Sequence, residues 1–187
     1  MHSKIYVVKL GFETNDISEL KEYFEEFIDN YEYGSGDIDY IQTIEEYVCM
    51  GLTQEERNKV DALEIYNEIL QDKINDWCEE IYAEKVNDNT IKVTKEGLKK
   101  YYSNVIESMI DKLNGYKQPN GEYDVDKFIK NYYNFTHEFD SQDPKYYSMY
   151  GYLEEDGEFL RTLYNAMGYH NLEELTIEIV DIYDYHC

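Results

Sequence analysis

Basic residues are scarce in this chain. Seventeen Lys and Arg stand against 41 Asp and Glu, leaving a formal net charge of −24. Proteins grip free nucleic acid by neutralising phosphates with Lys and Arg, so this chain would repel that polyanion. An anionic membrane surface is disfavoured on the same ground, and no apolar run is long enough to span a bilayer. Proline is scarcer still, at two residues. Disordered acidic chains are poor in aromatics, because they bury too little apolar area to offset chain entropy. This one carries 22 Tyr, 7 Phe and 1 Trp, and it reads as folded. Its 187 residues can bury a real core. Cys49, Cys78 and Cys187 are odd in number and show neither CxxC nor zinc spacing. No signal-peptide pattern opens the sequence, so reduced thiols and a cytoplasmic location are expected.

Catalytic motifs are missing as well. There is no phosphate-binding GxxxxGKS/T, no GxSxG and no HExxH. Gly34-Ser35-Gly36 lacks the third glycine and the strand-to-helix context of a dinucleotide loop, and reads as a helix stop. Carboxylate pairs occur everywhere, so they carry no information about acid–base chemistry. His137, Glu138 and Asp140 have ligand side chains but sit in a polar stretch, read as a solvated loop. Residues 116–127 (YKQPNGEYDVDK) have the length of a calcium loop, yet Tyr116 and Lys127 stand where oxygen ligands are required. The expectation is a non-enzyme with no cofactor and no metal.

What is present is acid and tyrosine, unevenly placed. Residues 13–48 hold twelve acids and one base, and residues 137–184 hold twelve acids and two bases. Between them, residues 49–136 hold seventeen acids and twelve bases. Tyrosine buries a ring while leaving its hydroxyl in water, which suits a surface crowded with carboxylates. It also serves as core-edge packing and as an anchor in protein contacts.

Periodicity gives an α+β reading: a small mixed or antiparallel sheet that includes the N- and C-terminal strands, packed with a mostly helical middle. The chain reads as one unit, 1–187, with acidic strand–helix–strand regions at 1–50 and 136–187 around a helical 51–135. Ile5 to Leu10 (IYVVKL) is a buried strand. Asp16 or Asn15 caps a helix whose stripe is Ile17, Leu20, Phe24, Phe27, Ile28 and Tyr31. Ile38 to Ile44 is a weaker strand. Thr53 and Glu56 form a capping box expected to open a long helix striped by Leu63, Tyr66, Leu70, Ile74, Trp77 and Ile81. Thr90 to Thr94 is a short strand. Thr94 then caps a helix with Leu98, Tyr102, Val105, Met109 and Leu113 on one face and Gly115 as C-cap. Val125 to Asn134 is a short helix. Tyr146 to Leu153 is read as a strand with tyrosines on both faces. Asp156 is expected to cap a helix striped by Phe159, Leu163 and Met167, with Gly168 after it. Thr176 to Tyr185 (TIEIVDIYDY) is a strand in which Val180-Asp181 breaks the alternation.

The natural partners of such a chain are cations, above all a basic protein surface. The helix from Asp16 to Glu32 spans roughly 24 Å at about 1.5 Å per residue and carries seven acids. That is one per about 3.4 Å, the spacing of phosphates along one DNA strand. Such a chain would compete for a groove built to hold nucleic acid, and interleaved tyrosine could replace base stacking. In this it is similar to phage and plasmid antagonists that act as DNA mimics, among them antirestriction and some anti-CRISPR proteins. KIYVVKLG, Lys4 to Gly11, resembles the start of the ArdA antirestriction family over those eight residues.

The expected function is therefore an acidic inhibitor of a nucleic-acid-processing enzyme, one that does not bind nucleic acid itself. An immunity- or antitoxin-like partner of one basic toxin, and a domain with incidental charge, are the alternatives. The first-choice contacts are Glu19, Glu22, Glu25, Glu26, Asp29, Glu32, Asp37 and Asp39. Glu45, Glu46, Glu154, Glu155, Asp156 and Glu158 come second. The sequence leaves monomer or homodimer open.

Overall fold

A computed structural model describes residues 2–31, 40–137, 144–150 and 153–186; of residues 30–31, 132–137 and 156 it describes the backbone alone. In chain order the elements begin with β1 (His2–Leu10), α1 (Ile17–Tyr31), β2 (Tyr40–Thr43), α2 (Ile44–Val48), α3 (Gln54–Arg57) and α4 (Ala62–Glu80). They continue with β3 (Glu84–Lys85), β4 (Thr90–Thr94), α5 (Lys95–Asn114), α6 (Val125–His137), β5 (Lys145–Tyr147), β6 (Glu154–Glu155), α7 (Asp156–Tyr169) and β7 (Glu174–His186).

Strands from both ends of the chain make the centre of one mixed sheet, ordered β3-β4-β7-β1-β5-β6, so the fold is α+β. β7 runs antiparallel to β1 along nearly its whole length. Its other edge is shared, with β4 on Glu174–Glu178 and β2 on Tyr183–His186. β5 joins β1 in parallel.

The two faces of this sheet are covered unequally. Tyr6, Val8, Leu10, Ile91, Val93, Ile177, Ile179 and Ile182 form one face, buried under Leu70, Ile74 and Trp77 of α4, Leu98 of α5 and Leu160, Leu163 and Met167 of α7. Ile5, Val7, Tyr147 and Tyr185 form the other, covered by Leu20 and Phe24 of α1.

One irregularity keeps both faces in phase. Val7 pairs with Asp181 but Val8 with Ile179, so Val180 is an extra residue, a β-bulge. A strict two-residue alternation from Ile177 would put Asp181 on the α4 face and Ile182 on the α1 face. The extra residue restores Ile182 to the larger core and turns Asp181 toward α1, where Lys21 Nζ lies 2.6 Å away. This is the position at which the sequence breaks its alternation.

Several boundaries differ from the sequence reading. The Thr53–Glu56 capping box is formed, but it opens only the four-residue α3. Asp61 caps the long helix instead, accepting from the Glu64 amide at 3.0 Å, and Leu63 in its first turn is exposed. The Tyr146–Leu153 strand is cut to Lys145–Tyr147, because the Tyr150 amide turns back onto the Ser148 hydroxyl at 3.2 Å. Tyr146 and Tyr147 are buried on opposite faces, as the alternation implied. Glu155, not Asp156, holds the N-cap position of α7. Gly168 lies inside α7; the helix ends in a Schellman turn with Asn171 left-handed (φ 54) and the Leu172 amide donating to the Met167 carbonyl at 2.8 Å. The described part of the Ile38–Ile44 strand is β2, and Ile44 instead opens α2. The Gly34-Ser35-Gly36 stop and the His137, Glu138, Asp140 cluster lie outside the described residues or side chains.

Candidate interaction surface on the acidic helix

The position of α1 follows from its sequence. Asp16 caps it: the Glu19 amide donates to Asp16 Oδ1 at 2.9 Å, and Glu19 Oε2 accepts from the Asp16 amide at 3.1 Å. The Ser18 hydroxyl and the Glu19 amide, both donating to it, lower the Asp16 pKa. Leu20, Phe24, Phe27 and Ile28 then lock one side of the helix onto Tyr147, Tyr183 and Tyr185. Phe24 lies 4.9 Å, centroid to centroid, from both Tyr147 and Tyr183.

That anchorage fixes where the acids point. At about 100° per residue, Glu19, Glu22, Glu25, Glu26 and Asp29 fall within about 120° of arc, opposite the buried stripe. All five are exposed. They run over about 15 Å of helix. The only lysine of α1, Lys21, is drawn down to Asp181 and leaves the outer face without a base. Among the described residues, Glu22, Glu25 and Asp29 take part in no ion pair.

The second-choice acids divide by role. Exposed Glu45 and Glu46 sit in the first turn of α2, and Glu46 is also its capping-box partner, accepting from the Thr43 amide at 2.9 Å. Their place beside α1 shows at Tyr183, whose phenol is pushed up to about 12 by burial first and then by Asp181, Glu25 and Glu46. Acids from α1, α2 and β7 thus bear on one ring.

Glu154, Glu155 and Glu158 lie at the opposite edge of the sheet. Glu154 Oε1 accepts from the Thr162 hydroxyl at 2.9 Å, and burial raises the carboxyl above its ordinary range. Glu155 meets Lys145 at 3.4 Å, and Glu158 meets Arg161 at 3.4 Å. These three are tied into local structure, whereas Glu22, Glu25 and Asp29 of α1 take part in no ion pair among the described residues. Leu153, the residue before Glu154, packs on the same cluster as Phe24, so this edge borders α1. Glu32, Asp37 and Asp39 lie outside the described residues, as does the Asp156 side chain.

Two buried charges were not singled out in the sequence. Asp184 has no exposed surface; it accepts from Lys4 Nζ at 2.6 Å, His2 Nδ1 at 2.8 Å and Gln42 Nε2 at 3.1 Å. Lys73 is 7% exposed, with its ammonium 5.2–5.8 Å from the ring centroids of Trp77, Tyr146 and Tyr6. The signal for Asp184 was its i, i+2 spacing from Ile182 on the core face. Among the described residues no group of three or more His, Cys, Asp or Glu is arranged to hold a metal ion. No helix of the described residues is long and apolar enough to cross a membrane.

No family model, curated protein or solved structure matches the chain.

Proposed function

We propose that this protein is a cytoplasmic, non-enzymatic inhibitor that works without a cofactor. It lays the outer face of α1 on a basic, nucleic-acid-binding surface of another protein. The targets that fit are nucleases and the restriction or CRISPR systems that mobile elements must evade. The observation that carries the reading is the exposed α1 sector: five carboxylates on a rigid helix, with the lone lysine turned away. Rigid charge at that density steers association and competes with phosphates. Glu45 and Glu46 extend the same face through α2.

The test is affinity capture from a bacterial lysate at low salt, with the captured protein then challenged by duplex DNA, RNA or high salt. One nucleic-acid enzyme, released by nucleic acid, is the expected result. A single protein that nucleic acid cannot displace would replace mimicry with an immunity-type interaction. A smear of unrelated basic proteins would reduce the acidity to solvation.

A further inference from the structure

The described contacts of helix α5 with the body of the fold gather at its N-terminal end. Thr94 caps it, accepting from the Gly97 amide at 3.0 Å. Gly97 lies so close to the Ile81 carbonyl that a Cβ there would sit 2.6 Å from its oxygen. Leu98 is buried, and the Tyr102 hydroxyl donates to the Gly157 carbonyl at 3.0 Å. Past Ser103 Val105 stays half-buried, and the other apolar side chains of α5 turn to water. Ile106 is 57% exposed, Ile110 51%, and Met109 and Leu113 are exposed as well. Their i, i+3, i+4, i+7 spacing is that of a helix stripe, and the sequence reading had placed Met109 and Leu113 on one face with Leu98 and Tyr102.

The turn that follows is held by its own hydrogen bonds. The Asp124 amide donates to the Tyr116 carbonyl at 2.7 Å, and Lys117 bridges Tyr123. Tyr116 meets Phe128 edge-on at 5.3 Å, and Lys127 Nζ donates to the Gly115 carbonyl at 3.2 Å. Helix α6 therefore starts in a fixed place, and it adds Val125 and Ile129 to the exposed apolar surface, the latter at 65%.

Charge says what this surface can meet. From Lys95 to Lys130 seven lysines stand against six acids; the rest of the chain has ten bases against thirty-five acids. Two copies of a −24 protein repel wherever their acidic bodies approach. The segment from α5 into α6 is nearly neutral, so two copies can meet on it without that repulsion. Its charges are of both signs and interspersed, with Lys99, Glu107, Asp111 and Lys112 along α5 and Asp126 and Lys130 along α6. An isologous contact needs such a self-complementary patch.

We infer that the distal half of α5 and the start of α6 form a homodimer interface, in which the apolar stripes of two copies close a four-helix contact. The contact is separate from the α1 face and does not depend on it.

The test is sedimentation equilibrium of the full chain over a range of concentration and salt. The mass should climb from 22.5 kDa toward twice that value with concentration, and the dimer should tighten as salt screens the bodies. Ile106→Glu with Ile110→Glu should raise the dissociation constant at least about tenfold with the circular dichroism spectrum unchanged, because both residues are exposed. Ile129→Glu, on the other helix, should act in the same direction. A single 22.5 kDa species at every concentration and salt, a dimer indifferent to these substitutions, or assemblies that grow past two would each overturn the inference.

Discussion

Asp184 is the one fully buried carboxylate among the described acids. Its three donors come from β1 and β2, the two strands flanking the end of β7, so one buried charge ties the chain termini together. Removing one partner of a buried pair leaves the other uncompensated. Asp184→Ala should cost about 3–5 kcal/mol in urea unfolding, against near-neutral substitution of exposed Glu22. Glu154 tests the opposite sign. Burial raises its folded-state pKa above the ordinary 4.5, so the proton binds more tightly to the folded protein than to the unfolded chain. Its stabilising contribution is complete below 4.5 and is lost as pH rises through the raised value. Glu154→Gln should therefore melt higher than the parent at neutral pH, with the difference vanishing below 4.5. A pH-independent difference would remove burial as the cause. The tyrosines separate at this scale too: Tyr6, Tyr146, Tyr147 and Tyr185 are core, whereas Tyr23, Tyr150 and Tyr169 are exposed. Composition could not make that division, since a half-polar ring suits either place.

At the scale of elements, β7 shows how a local irregularity holds a global register. Deleting Val180 would remove the bulge yet leave Ile182 and Tyr185 on their present faces, because the residues that remain alternate in phase with Val7 and Val8. That deletion should cost only about 0.5–3 kcal/mol, whereas deleting Tyr183 would exchange the faces of Asp184 and Tyr185 and should abolish cooperative unfolding; equal effects from the two deletions would contradict the register given to β7. This feature was legible because apolar alternation reads directly onto a pleated strand. The pairing of β1 with β7, the strand at Thr90–Thr94 and the α5 cap were legible for similar local reasons. Lengths were harder. The Thr53 box marks where a helix can start, but the chain turns after Arg57 and is capped afresh by Asp61. The stripe of α5 was read as one continuous face, but helical spacing cannot say how far a helix extends past the sheet that covers it, and Met109 and Leu113 are exposed. The parallel pairing of β5 rests on long-range packing and left no mark in the sequence.

For the whole molecule, charge is sorted by surface. The α1–α2 side concentrates exposed acids, and the segment from α5 into α6 is close to neutral. The acidic sector of α1 was legible from helical spacing. Its bordering by the edge that carries Glu154 and Glu155, and the tethering of those acids to Thr162 and Lys145, required the fold. Exposed ion pairs are each worth about 0–1 kcal/mol, so binding through α1 should be lost in steps as charge is removed, without loss of stability. The most direct test is the affinity of the captured partner as a function of salt, for the parent and for a variant with Glu22→Lys, Glu25→Lys, Glu26→Lys and Asp29→Lys, with duplex DNA as competitor. Binding weakened by about tenfold or more, a flatter salt dependence and competition by DNA for the parent are the predicted results. Unchanged affinity with an unchanged salt slope would mean that the acidic face of α1 is not the interface.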